Sequence, residues 1–111
     1  MPEADTALVQ GTLDMLVLKS LSLTPMHGFG IAQRIEQISR GVFKVNPGSL
    51  LLAFQRLERA GLVRAEWQAT ENNRRAKVYR ITRTGLKRLA QETSDWNRRV
   101  SAIARLLEAT T

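Results

Sequence analysis

Residues 46–81, NPGSLLLAFQRLERAGLVRAEWQATENNRRAKVYRI, change their hydrophobic period partway along. As far as Gly61 the apolar residues Leu50, Ala53, Phe54 and Leu57 recur at helical spacing. Asn46 can accept hydrogen bonds from free amides at a helix start, Pro47 suits the first helical position, and Gly61 is a stop. This helix buries one face and turns Ser49, Leu52, Gln55, Arg56 and Arg59 outward. Beyond Gly61 the period drops to two. Val63, Ala65 and Trp67 alternate with Arg64 and Glu66, and Lys77 to Ile81 repeats the pattern with Tyr79 and Ile81 on one side. Between them lies ATENNRRA, in which Asn72-Asn73 tolerates positive φ. The spacing predicts a hairpin whose tip carries Arg74 and Arg75.

Upstream, Leu13, Leu16, Val17 and Leu21 predict an amphipathic helix over Thr12 to Leu23. Met15 and Leu18 lie off that stripe, so the helix is expected to be covered on more than one side. Ala7, Leu8 and Val9 are either a further helical turn or an arm that packs on a partner. Thr24-Pro25 ends the helix. A second helix is expected from His27 to Arg40, with Ile31, Ile35 and Ile38 on one face and Gly41 as its left-handed cap. Val42 to Val45 reads as a short extended run.

Downstream, Thr82 caps a long helix from Arg83 to about Leu107. Leu86, Thr93, Val100 and Leu107 recur every seven residues, and Leu89, Trp96 and Ile103 do so offset by three. About 25 residues at 1.5 Å each give a rod near 38 Å, against a radius of gyration of about 13 Å for so small a domain. A second copy of the helix is the expected cover for the stripe. The alternative is a helix folded back on the first helix of the same chain.

The charge is as uneven as the hydrophobicity. The formal net charge is +7, and from Arg56 to Arg88 we count ten basic residues against three acidic ones, which accounts for the whole excess. Such a patch on an otherwise neutral domain suits a nucleic-acid partner, with a solvated basic face as the plainer alternative. The 111 residues contain no cysteine, which excludes disulfides and thiolate metal sites and fits a reducing cytoplasm. No apolar run is long enough to span a bilayer. His27, the one histidine, has no second histidine or cysteine to complete a metal site and is read as a structural residue. Gly28 and Gly30 lack the rest of a phosphate-loop pattern and are read as packing or turn positions. No catalytic constellation, metal site or cofactor motif is recognised.

Three compact helices, a basic hairpin and a long helix describe a mainly α fold: a winged helix-turn-helix over residues 1–82 and a dimerisation helix over 83–111. The third helix is expected in the major groove, which admits one helix, with the hairpin on the phosphate backbone. Candidate DNA-binding residues are Asn46, Ser49, Leu51, Leu52, Gln55, Arg56, Arg59, Asn73, Arg74, Arg75 and Lys77, with Ser49 either bonding a phosphate or capping the helix. Gln55 and Arg56 are the candidates for base edges. Candidate dimerisation residues are Leu86, Leu89, Trp96, Val100, Ile103 and Leu107. A winged-helix protein-interaction or RNA-binding module is the rival reading. RNA readers present aromatic platforms, whereas Trp67, Tyr79 and the phenylalanines are expected mostly on apolar faces.

These residues resemble the PadR family of bacterial regulators, in its short subgroup with a single C-terminal helix. The resemblance rests on Gly11-Thr12-Leu13-Asp14, Met26-His27-Gly28-Phe29-Gly30-Ile31, Asn46 with Gly48-Ser49-Leu50, Arg56-Leu57-Glu58, Ala60-Gly61-Leu62, and Glu71 to Lys77 with Tyr79. Thr82, Gly85 and Trp96 also fit. The family usually has Tyr-Pro-Ala-Leu where this chain has Leu51-Leu52-Ala53-Phe54, and often His where Gln55 stands. Leu51 cannot donate a hydrogen bond but can meet a thymine methyl. The resemblance implies a homodimeric repressor of double-stranded DNA, released in some members by a small aromatic effector. Trp96 is the candidate ligand residue, because an indole at a seam position holds two helices apart. Its alternative role is as dry core.

Overall fold

The computed structural model describes residues 3–110. Its elements are α1 (Glu3–Leu23), β1 (Met26–His27), α2 (Gly28–Ile38), α3 (Pro47–Arg59), β2 (Val63–Ala69), β3 (Arg75–Ile81) and α4 (Arg83–Glu108). The order is the one expected, with two differences. The first helix begins at Glu3 rather than Thr12, so residues 7–9 continue it, while the packing of their side chains lies outside the described residues. The hairpin is the larger part of a three-stranded antiparallel sheet of order β1-β3-β2. Its third strand pairs Met26 with Tyr79 and His27 with Val78. Val42 to Val45, read as extended, joins no strand.

Local chemistry sets each boundary. His27 precedes α2 in an extended conformation, and its Nδ1 accepts from the Gly30 N–H at 3.2 Å. This is the structural role expected of it, at the N-cap. The α2 helix closes through two consecutive left-handed residues, Arg40 (φ 54°) and Gly41 (φ 79°). Asn46 Oδ1 caps α3, accepting from the Gly48 and Ser49 amides at 2.8 and 3.2 Å. At the other end Gly61 (φ 75°) lets the Leu62 N–H reach back to the Leu57 carbonyl at 2.9 Å. That left-handed turn satisfies an orphan carbonyl and redirects the chain into β2.

α1 is the hub, packed against α2, α3, β3 and α4. Val17, Leu18 and Leu21 on it are almost fully buried, and Leu13 nearly so. Each such side chain contributes about 1.5–3 kcal/mol through removal from water. Ile31 and Ile35 from α2, and Leu50, Ala53, Phe54 and Leu57 from α3, complete the core. Phe54 lies flat on Tyr79, ring centroids 3.9 Å apart and 5° from parallel. That stack joins α3 to the central strand, and Gly28 is packed against the edge of the same Phe54 ring.

α4 departs from the sheet through a close contact. Thr82 Oγ1 donates to the Gly61 carbonyl at 2.7 Å and accepts from the Gly85 N–H at 3.0 Å. Gly85 itself is pressed onto the Leu62 carbonyl, where a Cβ would collide with backbone. The helix packs on α1 near its start, where Leu89 is buried, and then runs on.

Candidate nucleic-acid interface

The outward surface of α3 is apolar at its centre and polar around it. Leu51 and Leu52 are 54% and 55% exposed. Gln55 and Arg59 are exposed beside them, and Ser49 is partly so. Two exposed leucines in a row are costly to solvate. Phe54, the other departure from the usual family pattern, is turned inward onto Tyr79.

Arg56 has a different place from the one its position on the helix suggested. Its guanidinium clasps Asp14 of α1, Nη2 to Oδ1 at 2.7 Å and Nε to Oδ2 at 3.2 Å. Both side chains are largely covered, at 33% and 23% exposure. The hydrogen-bonded Asp14 carboxylate pushes the Arg56 pKa above its ordinary value, although burial acts the other way. The fork is thus spent on tying α3 to the hub helix, and Arg56 is better read as a brace than as a base-edge contact. Glu92 of α4 closes the same neighbourhood. Burial raises its pKa, with Arg88 opposing and the Asp14 charge adding to the rise.

The wing is joined to α3 by the Phe54–Tyr79 stack and by Lys77 reaching Glu58. All seven β2 residues pair with β3, from Val63 with Ile81 to Ala69 with Arg75. The turn between them closes with Asn73 at φ 61°, the Asn73 N–H donating to the Thr70 carbonyl at 3.0 Å and the Thr70 N–H to the Arg74 carbonyl at 2.7 Å. Asn73 thus shapes the tip on which it was expected to bind.

The wing's cations are not equivalent. Glu66 pairs with Arg80 at 3.3 Å and with Arg64 at 3.7 Å on one face. Lys77 reaches Glu58 of α3 at 3.7 Å and lies over the Tyr79 ring. Among the described residues no carboxylate lies within ion-pair distance of Arg59, Arg74 or Arg75. Of the expected residues, Leu51, Leu52, Gln55 and Arg59 are exposed on α3, and Arg74 and Arg75 are exposed on the wing without a carboxylate partner among the described residues, while Asn46, Arg56 and Lys77 are engaged within the fold. Alternation placed Trp67 on an apolar face, and the register keeps it on the face of Ala65 and Tyr79. Near the wing tip it is nevertheless 58% exposed, with the Arg75 guanidinium 5.1 Å from its ring centroid. The hairpin register could have exposed it, because Trp67 and Arg75 are diagonal neighbours and Trp67 lies beyond the reach of the core.

The long helix leaves its stripe uncovered. Leu86, Trp96, Val100, Ile103 and Leu107 are 48%, 42%, 44%, 53% and 81% exposed, and of the expected seam only Leu89 is buried. A shallow concavity on α4 runs past Ala90, Thr93, Asn97 and Ser101; Trp96 is not among its walls. Among the described residues no group of three His, Cys, Asp or Glu side chains could hold a metal ion, and no helix is long and apolar enough to cross a membrane.

Comparison with known proteins agrees with this geometry. The sequence model of the transcriptional regulator PadR-like family matches residues 17–91. A PadR family transcriptional regulator from Eggerthella lenta has a crystal structure similar to this one. It is 28% identical with a TM-score of 0.83, over 97% of this chain and 92% of that one. The structure of a transcriptional regulator from Clostridium thermocellum shares the fold, with TM-score 0.85 and 24% identity over 92% of this chain and 99% of that one. An uncharacterized protein of Lysinibacillus sphaericus is 27% identical over 89 residues, 80% of this chain and 82% of its own length.

Proposed function

The chain belongs to the PadR-like family of transcriptional regulators, and from that premise we infer that it is a repressor that grips duplex DNA as a homodimer. The observation that carries this reading is the set of exposed side chains on α3 and of cations without carboxylate partners on the wing. Leu51, Leu52, Gln55 and Arg59 stand exposed beside a hairpin whose Arg74 and Arg75 have no carboxylate within ion-pair distance among the described residues. A major groove about 12 Å wide takes one helix. The leucines would meet thymine methyls, Gln55 would meet base edges, Arg59 would meet phosphates, and the wing arginines would lie along phosphates or in the minor groove.

The second copy follows from α4. A stripe of large apolar side chains that its own domain leaves half exposed is covered by the same stripe of a partner across a twofold axis. The repressor assignment rests on the family resemblance. Trp96 is the residue at which a flat aromatic effector would bind, because its indole stays 42% exposed within that stripe. In a Trp67→Phe background, quenching of Trp96 emission by a panel of planar dyes tests that point, and no quenching by any of them leaves Trp96 as interface core.

Salt titration tests the DNA interface. The chain should bind a duplex from its own upstream region, and Arg74→Ala with Arg75→Ala should flatten the log–log salt dependence by about 0.9 per lost phosphate contact. A double variant that keeps the parent slope would remove the wing from the interface.

A further inference from the structure

An indole is a costly side chain to leave in water, yet Trp67 is 58% exposed near the wing tip. What covers part of it is a cation. Trp67 pairs across the hairpin with Lys77, and Arg75 pairs with Ala69, so Trp67 and Arg75 are diagonal neighbours on one face. The Arg75 guanidinium carbon sits 5.1 Å from the indole centroid. Further down the same face lie Ala65 and Tyr79, and Tyr79 is stacked on Phe54 of α3. The Trp67–Arg75 pair is therefore on the side of the sheet that packs on α3 further down, not on the side where Glu66 pairs with Arg64 and Arg80.

The three kinds of partner leave three kinds of cation. Arg64, Arg80 and Lys77 meet carboxylates, which offset part of their charge. Arg74 has neither a carboxylate nor a ring beside it among the described residues, so its side chain must be ordered on binding. Arg75 holds its guanidinium over the indole. Such a cation–π contact restricts the side chain and leaves its N–H donors without a carboxylate partner among the described residues. A pre-aimed arginine is what a narrow minor groove selects, because A·T-rich sequence deepens the negative potential there.

We propose that Trp67 is a positioning residue for DNA recognition: its indole holds Arg75 as the wing's minor-groove reader, while Arg74 makes an ordinary phosphate contact. The proposal rests on the DNA-binding reading above and adds a sequence preference to it. Because Trp67 acts through Arg75, the property it controls is groove discrimination rather than charge.

The test uses the full chain and two short duplexes, one an A·T tract and one all G·C, followed by fluorescence anisotropy at low salt. The parent protein should prefer the A·T duplex. Trp67→Leu should lower affinity for that duplex by about three- to fivefold and erase the preference, with the salt slope unchanged. Trp67→Phe, which keeps a π face, should retain the preference. Arg74→Ala should reduce the salt slope and leave the preference intact. With Trp96→Phe in place, emission from Trp67 should change on saturation with the A·T duplex. If Trp67→Leu keeps the parent preference, or if Trp67→Phe loses it as fully as Leu does, the positioning role is overturned while the DNA-binding reading stands. If the parent binds neither duplex, both fall together. The melting temperature of each variant, expected to match the parent at so exposed a site, separates these outcomes from misfolding.

Discussion

At the scale of single residues the clearest lesson is Arg56. Helical spacing set it among the outward residues of α3, beside Gln55 and Arg59. The structure hands its fork to Asp14, 42 residues earlier and on another helix. Periodicity reports which face a residue occupies, not which distant partner meets it at the edge of that face. Asp14 stood inside a quoted motif without an assigned role for the same reason. Removing the brace has a predictable cost. Arg56→Ala should destabilise the fold by about 1–2 kcal/mol, toward the lower end for charge-assisted bonds because both groups keep some solvent contact. Arg59→Ala, on the exposed face about one turn later, should change stability by no more than about 0.5 kcal/mol. Urea denaturation measures both, and equal effects would deny the brace. Gly85 offers a second check. A methyl there meets the Leu62 carbonyl, so Gly85→Ala should cost about 1–3 kcal/mol even though alanine favours helices elsewhere. A variant that melts with the parent would show that the α4 start can slide.

At the scale of elements most of the order was legible. Caps and stops did the work: Asn46-Pro47, Gly61, Thr82 and Gly41 each mark a real boundary. What escaped was short or unpatterned. Met26-His27 is a strand only because β3 lies beside it, and two residues carry no alternation to read. Val42 to Val45 has the composition of a strand and no partner. The seven-residue repeat of α4 was legible as a stripe, and the stripe is indeed one the chain's own domain leaves largely open. Who covers it is the open structural proposition, and Val100→Asp decides it. A charge placed in an apolar seam should split the dimer at micromolar concentration, seen as a fall to monomer mass in sedimentation, and should weaken binding to a two-half-site duplex. A parent chain that already sediments as a monomer would refute the seam.

At the scale of the whole molecule the dimensions carry the argument. The radius of gyration is 15.9 Å and the extents are 64 × 31 × 22 Å, compared with about 13 Å expected for the radius of a round domain of this size. The excess length includes α4 running on past its buried start. The site was half legible. Charge singled out the segment, and the structure then divided its cations into those paired with carboxylates and those without such a partner among the described residues. The proposed twofold pair would set two α3 helices on one face of the duplex. Hydroxyl-radical footprinting of the chain on a duplex from its own upstream region tests this directly. Two protected patches should appear on the same face, about 34 Å or one helical turn apart. No protection, or a single patch that saturates with one chain per duplex, would contradict a homodimer that reads DNA through α3 and the wing.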